Sequence, residues 1–167
     1  MPMQHTAATG ASGLLIYGGI AFGHSMGLVD VHLLRLPSLS ERSESPWQWE
    51  QPVVQGGGAS RRGHSVTPFG GKLLVYGGTT EATQGDHEER SPPTGDLAVL
   101  DPLRGVWKTP TALGPPPMPR KAHDTRCVGG RIFVSGGITE GDTQLNRKKD
   151  VHELIVLPCG GAAGGQC

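Results

Sequence analysis

Apolar residues in this chain come in short runs that close on paired glycines. Leu14-Leu15-Ile16-Tyr17-Gly18-Gly19, Leu73-Leu74-Val75-Tyr76-Gly77-Gly78 and Ile132-Phe133-Val134-Ser135-Gly136-Gly137 stand 59 residues apart. His5, His64 and His123 keep the same interval, and Gly70-Gly71 recurs as Gly129-Gly130. Landmarks that agree in both order and spacing define a repeat. Repeats of this length are supersecondary units that must stack to cover their apolar faces.

The second copy shows the plan of one unit. Ser65 to Phe69 reads as a first short strand, A, turned by Gly70-Gly71-Lys72 into Leu73 to Tyr76, a β-favouring strand B. A polar stretch leads to strand C, Leu97 to Leu100, introduced by Asp96 and stopped by Pro102. Arg104-Gly105 then turns the chain into strand D, Val106 to Thr109. In the first copy strand B is expected at 14–17, C near 29–34 and D around Trp47-Gln48-Trp49. The third has A after His123, B at 132–135 and C at 150–156, with nothing strand-like for D. Four short antiparallel strands per unit predict propeller blades.

The landmarks resemble the kelch repeat: a basic residue and His ahead of strand A, a run closing in Gly-Gly, an Asp leading strand C (Asp30, Asp96, Asp150) and a Trp on strand D (Trp49, Trp107). The departures are the absent basic residue before His5, Ser135 in place of the aromatic at Tyr17 and Tyr76, and the missing fourth strand of copy three. The resemblance implies an all-β, partial kelch-type β-propeller with two complete four-stranded antiparallel blades at 1–55 and 56–114, an incomplete third at 115–158, and a flexible Gly-rich tail at 159–167. Gly18, Gly19, Gly77, Gly78, Gly136 and Gly137 are expected to serve the backbone at the ends of strand B. Trp49 and Trp107 are expected to cover the core between blades, while the basic residues, His64 and His123 bond carbonyls of the adjoining blade.

Composition narrows the possible functions. The 27 glycines and 14 prolines approach a low-complexity load, but many of the glycines fall at repeat positions and read as turns. The formal charge of zero gives no global attraction to nucleic acid or an anionic membrane. No apolar run approaches the roughly 20 residues of a bilayer span, and no signal-peptide pattern opens the chain, so a cytoplasmic location is the expectation. The three cysteines lack C-x-x-C spacing, which argues against a zinc site, and Cys127 is expected to face a core as a small apolar residue. The histidines at repeat positions are spread one per blade, with no metal-ligand spacing; no metal, other cofactor or catalytic residue is assigned.

In an A-B-C-D meander the B–C and D–A connections share one face. That face is the expected partner-binding site, with Arg61, Arg62, Arg120 and Lys121 on its rim and His24, Glu81 and Arg147 on its loops. A basic rim suits an acidic or phosphorylated protein segment; for at least one residue of each basic pair, holding blades together is the stronger expectation. The acidic loop after Thr79 and the basic end of its third-copy counterpart would be able to pair across blades. The expected function is a non-catalytic protein-interaction scaffold or adaptor. The kelch resemblance also leaves a metal-dependent oxidase or specifier-like enzyme as the alternative, its active site outside this chain. Two blade faces need covering, by further blades of a larger propeller, a second copy of the chain or another protein.

Overall fold

A computed structural model describes residues 2–3, 6–10, 13–21, 29–35, 47–56, 58, 60–80, 92–142 and 147–155. They form thirteen strands and no helix. In the first blade β2 (Thr6–Gly10), β3 (Gly13–Tyr17), β5 (Val31–Arg35) and β6 (Gln48–Glu50) lie side by side in that order. The second blade runs β7 (Ser65–Phe69), β8 (Lys72–Tyr76), β9 (Leu97–Asp101), β10 (Val106–Lys108), and the third β11 (Asp124–Val128), β12 (Arg131–Ser135), β13 (Val151–Leu154). Every pairing within the blades is antiparallel. The expected all-β architecture of partial blades is the observed one, and strand A of the first blade is β2. The Gly-rich tail lies outside the described residues.

Blades adhere because side chains alternate across a strand, so each strand presents one row to either neighbour. Leu15, Tyr17 and Val31 of the first blade meet Val66, Leu73, Val75, Leu100 and Trp107 of the second in one buried cluster. Tyr17 is its centre: its ring lies 4.8 Å from the Trp107 ring and edge-on to His64 at 5.2 Å, arrangements that favour aromatic pairs. Burial pushes the Tyr17 hydroxyl up to about 12, partly offset by the Arg61 charge beside it. Gly58 sits where any Cβ would fall 2.8 Å from both the Trp107 ring and the Tyr17 hydroxyl.

The second joint is more polar. Tyr76 stands edge-on to His123 at 5.3 Å, as Tyr17 does to His64, and donates its hydroxyl to the Pro117 carbonyl at 3.0 Å. Ser65 bonds the Nε2 of His123 at 2.7 Å, and Thr67 bonds Thr125. Thus the facing rows of β7 and β11 are joined by hydroxyls.

Two expectations are corrected. Trp107 covers a core at 6% exposure, but Trp49 is 56% exposed, because covering requires a blade in front and none of the described residues supplies one. Cys127 is exposed on β11 instead of facing a core. The contrast between the tryptophans is measurable. Trp107→Ala should cost about 3–4 kcal/mol in urea unfolding, as expected for a large aromatic removed from a packed joint, whereas Trp49→Ala should cost less than about 0.5 kcal/mol. Equal losses would contradict this division.

Candidate functional site

The connections after strand B and before strand A meet at one end of the blades. Three pairs lock them together at the 59-residue interval: Met3 with Ile20, Arg62 with Thr79 and Lys121 with Ile138. In the first blade this contact lengthens into the two-stranded β1 (Pro2–Met3) and β4 (Ile20–Ala21). Sequence reading missed this cross-link. Its signal was present in the equal spacing of the positions two before each His and one after each Gly-Gly.

The paired glycines do two different jobs here. Gly77 (φ 64°) donates its N–H to the Asp96 carbonyl within its blade, and Gly78 (φ 84°) donates to the Arg120 carbonyl of the next blade at 2.9 Å. Gly19 reaches the Arg61 carbonyl at 2.8 Å in the same way. A Cβ on Gly78 would lie 2.6 Å from the Arg62 carbonyl, and left-handed φ already disfavours a side chain there. Gly-Gly is therefore where two blades share backbone hydrogen bonds.

The arginine side chains face inward. Arg120, with 0% exposure, makes a bidentate pair with Asp150 at 2.8 and 2.9 Å and also donates to the carbonyls of Gly136, at 2.7 Å, and Met118, at 3.1 Å. Arg61 repeats this one blade earlier, donating to Gly77 O at 2.9 Å with Asp96 at 3.6 Å. Arg62 donates to Thr79 Oγ1 at 3.1 Å. A guanidinium taken from water needs such a set of acceptors to offset its desolvation. It also holds Asp150 far below the usual carboxylate range.

Arg61, Arg62 and Arg120 are therefore not a partner-binding rim: at 4%, 6% and 0% exposure a partner cannot reach them. The guanidinium groups of Arg61 and Arg120 bond within their own blades, tying strands B and C, and not, as expected from sequence, to the adjoining blade, while their backbone carbonyls serve the preceding blade; Arg62 donates to Thr79, just beyond strand B. Lys121 is half-buried and Arg147 exposed on this face. His24 and Glu81 lie outside the described residues, as does most of the acidic loop, so the proposed pairing of loops across blades does too. In the third blade's loop Lys148 instead pairs with Asp142 at 3.4 Å.

His123 sits beneath this face, lowered to about 4 by burial and by the Arg120 charge, against a smaller opposing effect of Asp124. It is neutral at physiological pH and bonded to Ser65, a structural arrangement. Among the described residues no three His, Cys, Asp or Glu side chains converge as a metal site.

The chain is similar to known proteins. Residues 1–157 match the KLHDC2/KLHL20/DRC7 Kelch-repeats domain. The chain is 28% identical over 160 residues to the Rho GTPase-activating protein gacHH of Dictyostelium discoideum, covering 92% of this chain but 10% of that protein. It is 34% identical over 100 residues to the Rab9 effector protein with kelch motifs of Gallus gallus, covering 59% of this chain and 25% of that one. The solved structure of YjhT matches with a TM-score of 0.57 at 20% identity, over 84% of this chain and 36% of that chain, a likeness of fold alone. The chain thus spans only a minor part of the length of these relatives.

Removing the Arg120 side chain takes the donor from two part-buried carbonyls and leaves the Asp150 carboxylate with His152 alone. Arg120→Ala should cost about 2–4 kcal/mol in urea unfolding, and Arg120→Lys should recover little, because an ammonium cannot reproduce the fork. A loss below about 0.5 kcal/mol would refute the clamp.

The histidine sets a pH dependence. Below pH 6.5 the unfolded chain takes up a proton that folded His123 refuses until about pH 4. Its stabilising effect is therefore full above 6.5 and lost as the pH falls to 4, on the order of 1–3 kcal/mol. Melting temperatures between pH 7 and 4 should fall more steeply for the native chain than for His123→Gln, and parallel curves would contradict the assignment.

Proposed function

The chain belongs to the KLHDC2/KLHL20/DRC7 kelch-repeat family, and from that membership we propose that it is a non-catalytic protein-interaction scaffold, binding its partner through the B–C loop face. The observation that supports this reading most is the contrast between the ends of the strands. At one end a short Gly-Gly turn joins strands A and B of the second and third blades, a form that leaves little to recognise. At the other, buried Arg–Asp clamps and the backbone bridges Arg62–Thr79 and Lys121–Ile138 fix the bases of B–C loops that differ in length and charge from blade to blade. A rigid frame that carries variable loops is the arrangement binding surfaces use.

Recognition on this face falls to loop residues, since the repeat arginines are consumed by the frame. Arg147, Lys148 and Lys149 form a basic strip in the third blade's loop, of which Arg147 and Lys149 are exposed. Such a strip suits an acidic partner segment through charge-assisted hydrogen bonds. Two relatives carry names that refer to small-GTPase biology; for this chain a protein partner of that kind is one form the proposal takes.

Site-specific photo-crosslinking in cells separates the two faces. A crosslinker at position 147 or 149 should capture a partner that one at Lys72 or Arg104, on the turn face, does not, and Arg147→Glu with Lys149→Glu should weaken the capture severalfold. Capture confined to positions 72 and 104 would overturn the assignment.

A further inference from the structure

Between β10 and β11 the chain reads Pro115-Pro116-Pro117-Met118-Pro119. Each proline fixes its φ near the polyproline II value, and Pro115, Pro116 and Met118 are further kept extended by the proline that follows each of them. Only Met118 among these residues has a backbone N–H, so the segment has almost no donors with which to join a sheet. Two bonds tie it to the blades instead. The Pro117 carbonyl accepts from the Tyr76 hydroxyl at 3.0 Å, and the Met118 carbonyl accepts from Nε of Arg120 at 3.1 Å. Pro119 lies beside Gly95, where an added Cβ would fall 3.4 Å from the Pro119 Cγ, at the base of the second blade's B–C loop.

The blades do not require prolines here, because the same positions of the first joint, 59 residues earlier, read Gly56-Gly57-Gly58-Ala59-Ser60. That joint also shows which side of the segment faces inward. Trp107 meets it at Gly56 and Gly58, where an added Cβ would lie 2.9 Å from the Trp107 carbonyl and 2.8 Å from its ring. Their counterparts are Pro115 and Pro117. Pro116, Met118 and Pro119 are left on the other side, so their accessibility does not depend on what fills the second joint. All three are exposed, Met118 at 57%, whereas Pro117 is half-buried. In a polyproline II helix of about three residues per turn, Pro116 and Pro119 stand one turn apart on a single outward ridge.

We propose that Pro116 and Pro119, with Met118 between them, form a docking ridge for a protein domain that reads polyproline II segments in an aromatic-lined groove. The spacing is the P-x-x-P of such ligands, whose proline rings stack on aromatic side chains of the groove. The ridge is ordered before the partner arrives, because Tyr76 and Arg120 hold it from beneath. Less conformational freedom is then lost on binding than with a loose proline-rich tail. The inference rests on the loop-face reading for its place on the molecule, since the D–A connection reaches that face, and it uses none of the loop residues Arg147 to Lys149.

The probes are purified SH3, WW and EVH1 domains, arrayed and exposed to the labelled full-length chain. At least one domain should bind saturably, and Pro116→Ala with Pro119→Ala should weaken that binding about tenfold or more while circular dichroism stays β-rich. Should the double variant not fold, Met118→Glu, which sets a charge on the same outward side, should give the same loss. Absence of saturable binding to every domain, or binding that survives these changes, would overturn the proposal. Binding that ignores the prolines but falls in Arg147→Glu with Lys149→Glu would overturn it while leaving the loop reading intact. Binding through positions 116 and 119 without crosslinking at 147 or 149 would do the reverse.

Discussion

The structure depends on one hydrogen bond, Gly78 N–H to the carbonyl of Arg120, and on its counterpart from Gly19 to Arg61. The joint of the second and third blades also carries the backbone bonds from Ala122 N–H to the Gly63 carbonyl and from Arg120 N–H to the Thr94 carbonyl, and the side-chain bonds of Ser65, Thr67 and Tyr76; the rest is side-chain packing, which is tolerant of small displacements. The Gly78 bond is not, because its donor is a residue in left-handed conformation and its acceptor belongs to a residue whose side chain is fixed. Arg120 is held at its far end by Asp150 and Gly136, so the carbonyl at its near end has one position. Through this residue the third blade's internal order becomes the geometry of the joint with the second.

Such an arrangement explains why charged residues sit at the most buried positions. Burying a guanidinium is costly, and a hydrophobic residue of similar size would pack as well. It would not bring strands B and C together at the end where their connecting loop departs, nor present a carbonyl to the preceding blade. The charge thus provides position more than net stability. The aromatic joint below it supplies the packing, and the two are coupled because Arg61 lies beside Tyr17 and Arg120 beside Tyr76.

Much of the fold was legible in the sequence. The runs ending at Tyr17, Tyr76 and Ser135 are β3, β8 and β12, and the Asp-led segments are β5, β9 and β13, because strand and turn preferences are local and here agree with the repeat. The fates of Trp49 and Trp107 were not legible, since both occupy the same repeat position and differ only in having a blade before them. The arginines misled for a related reason. An Arg before strand A looks the same in sequence whether its guanidinium turns to solvent or to an Asp about 30 residues on. The pairing of Arg120 with Asp150 is a matter of three-dimensional closure.

Residue-resolved amide exchange on the native chain and on Asp150→Ala tests the central dependence most directly. Loss of the carboxylate should speed exchange at Gly78 by an order of magnitude or more while the amides pairing β7 with β8 stay protected, because the joint loosens before the blade does. Unchanged protection at Gly78, or uniform loss across the second blade, would show that the joint does not rest on the arginine clamp.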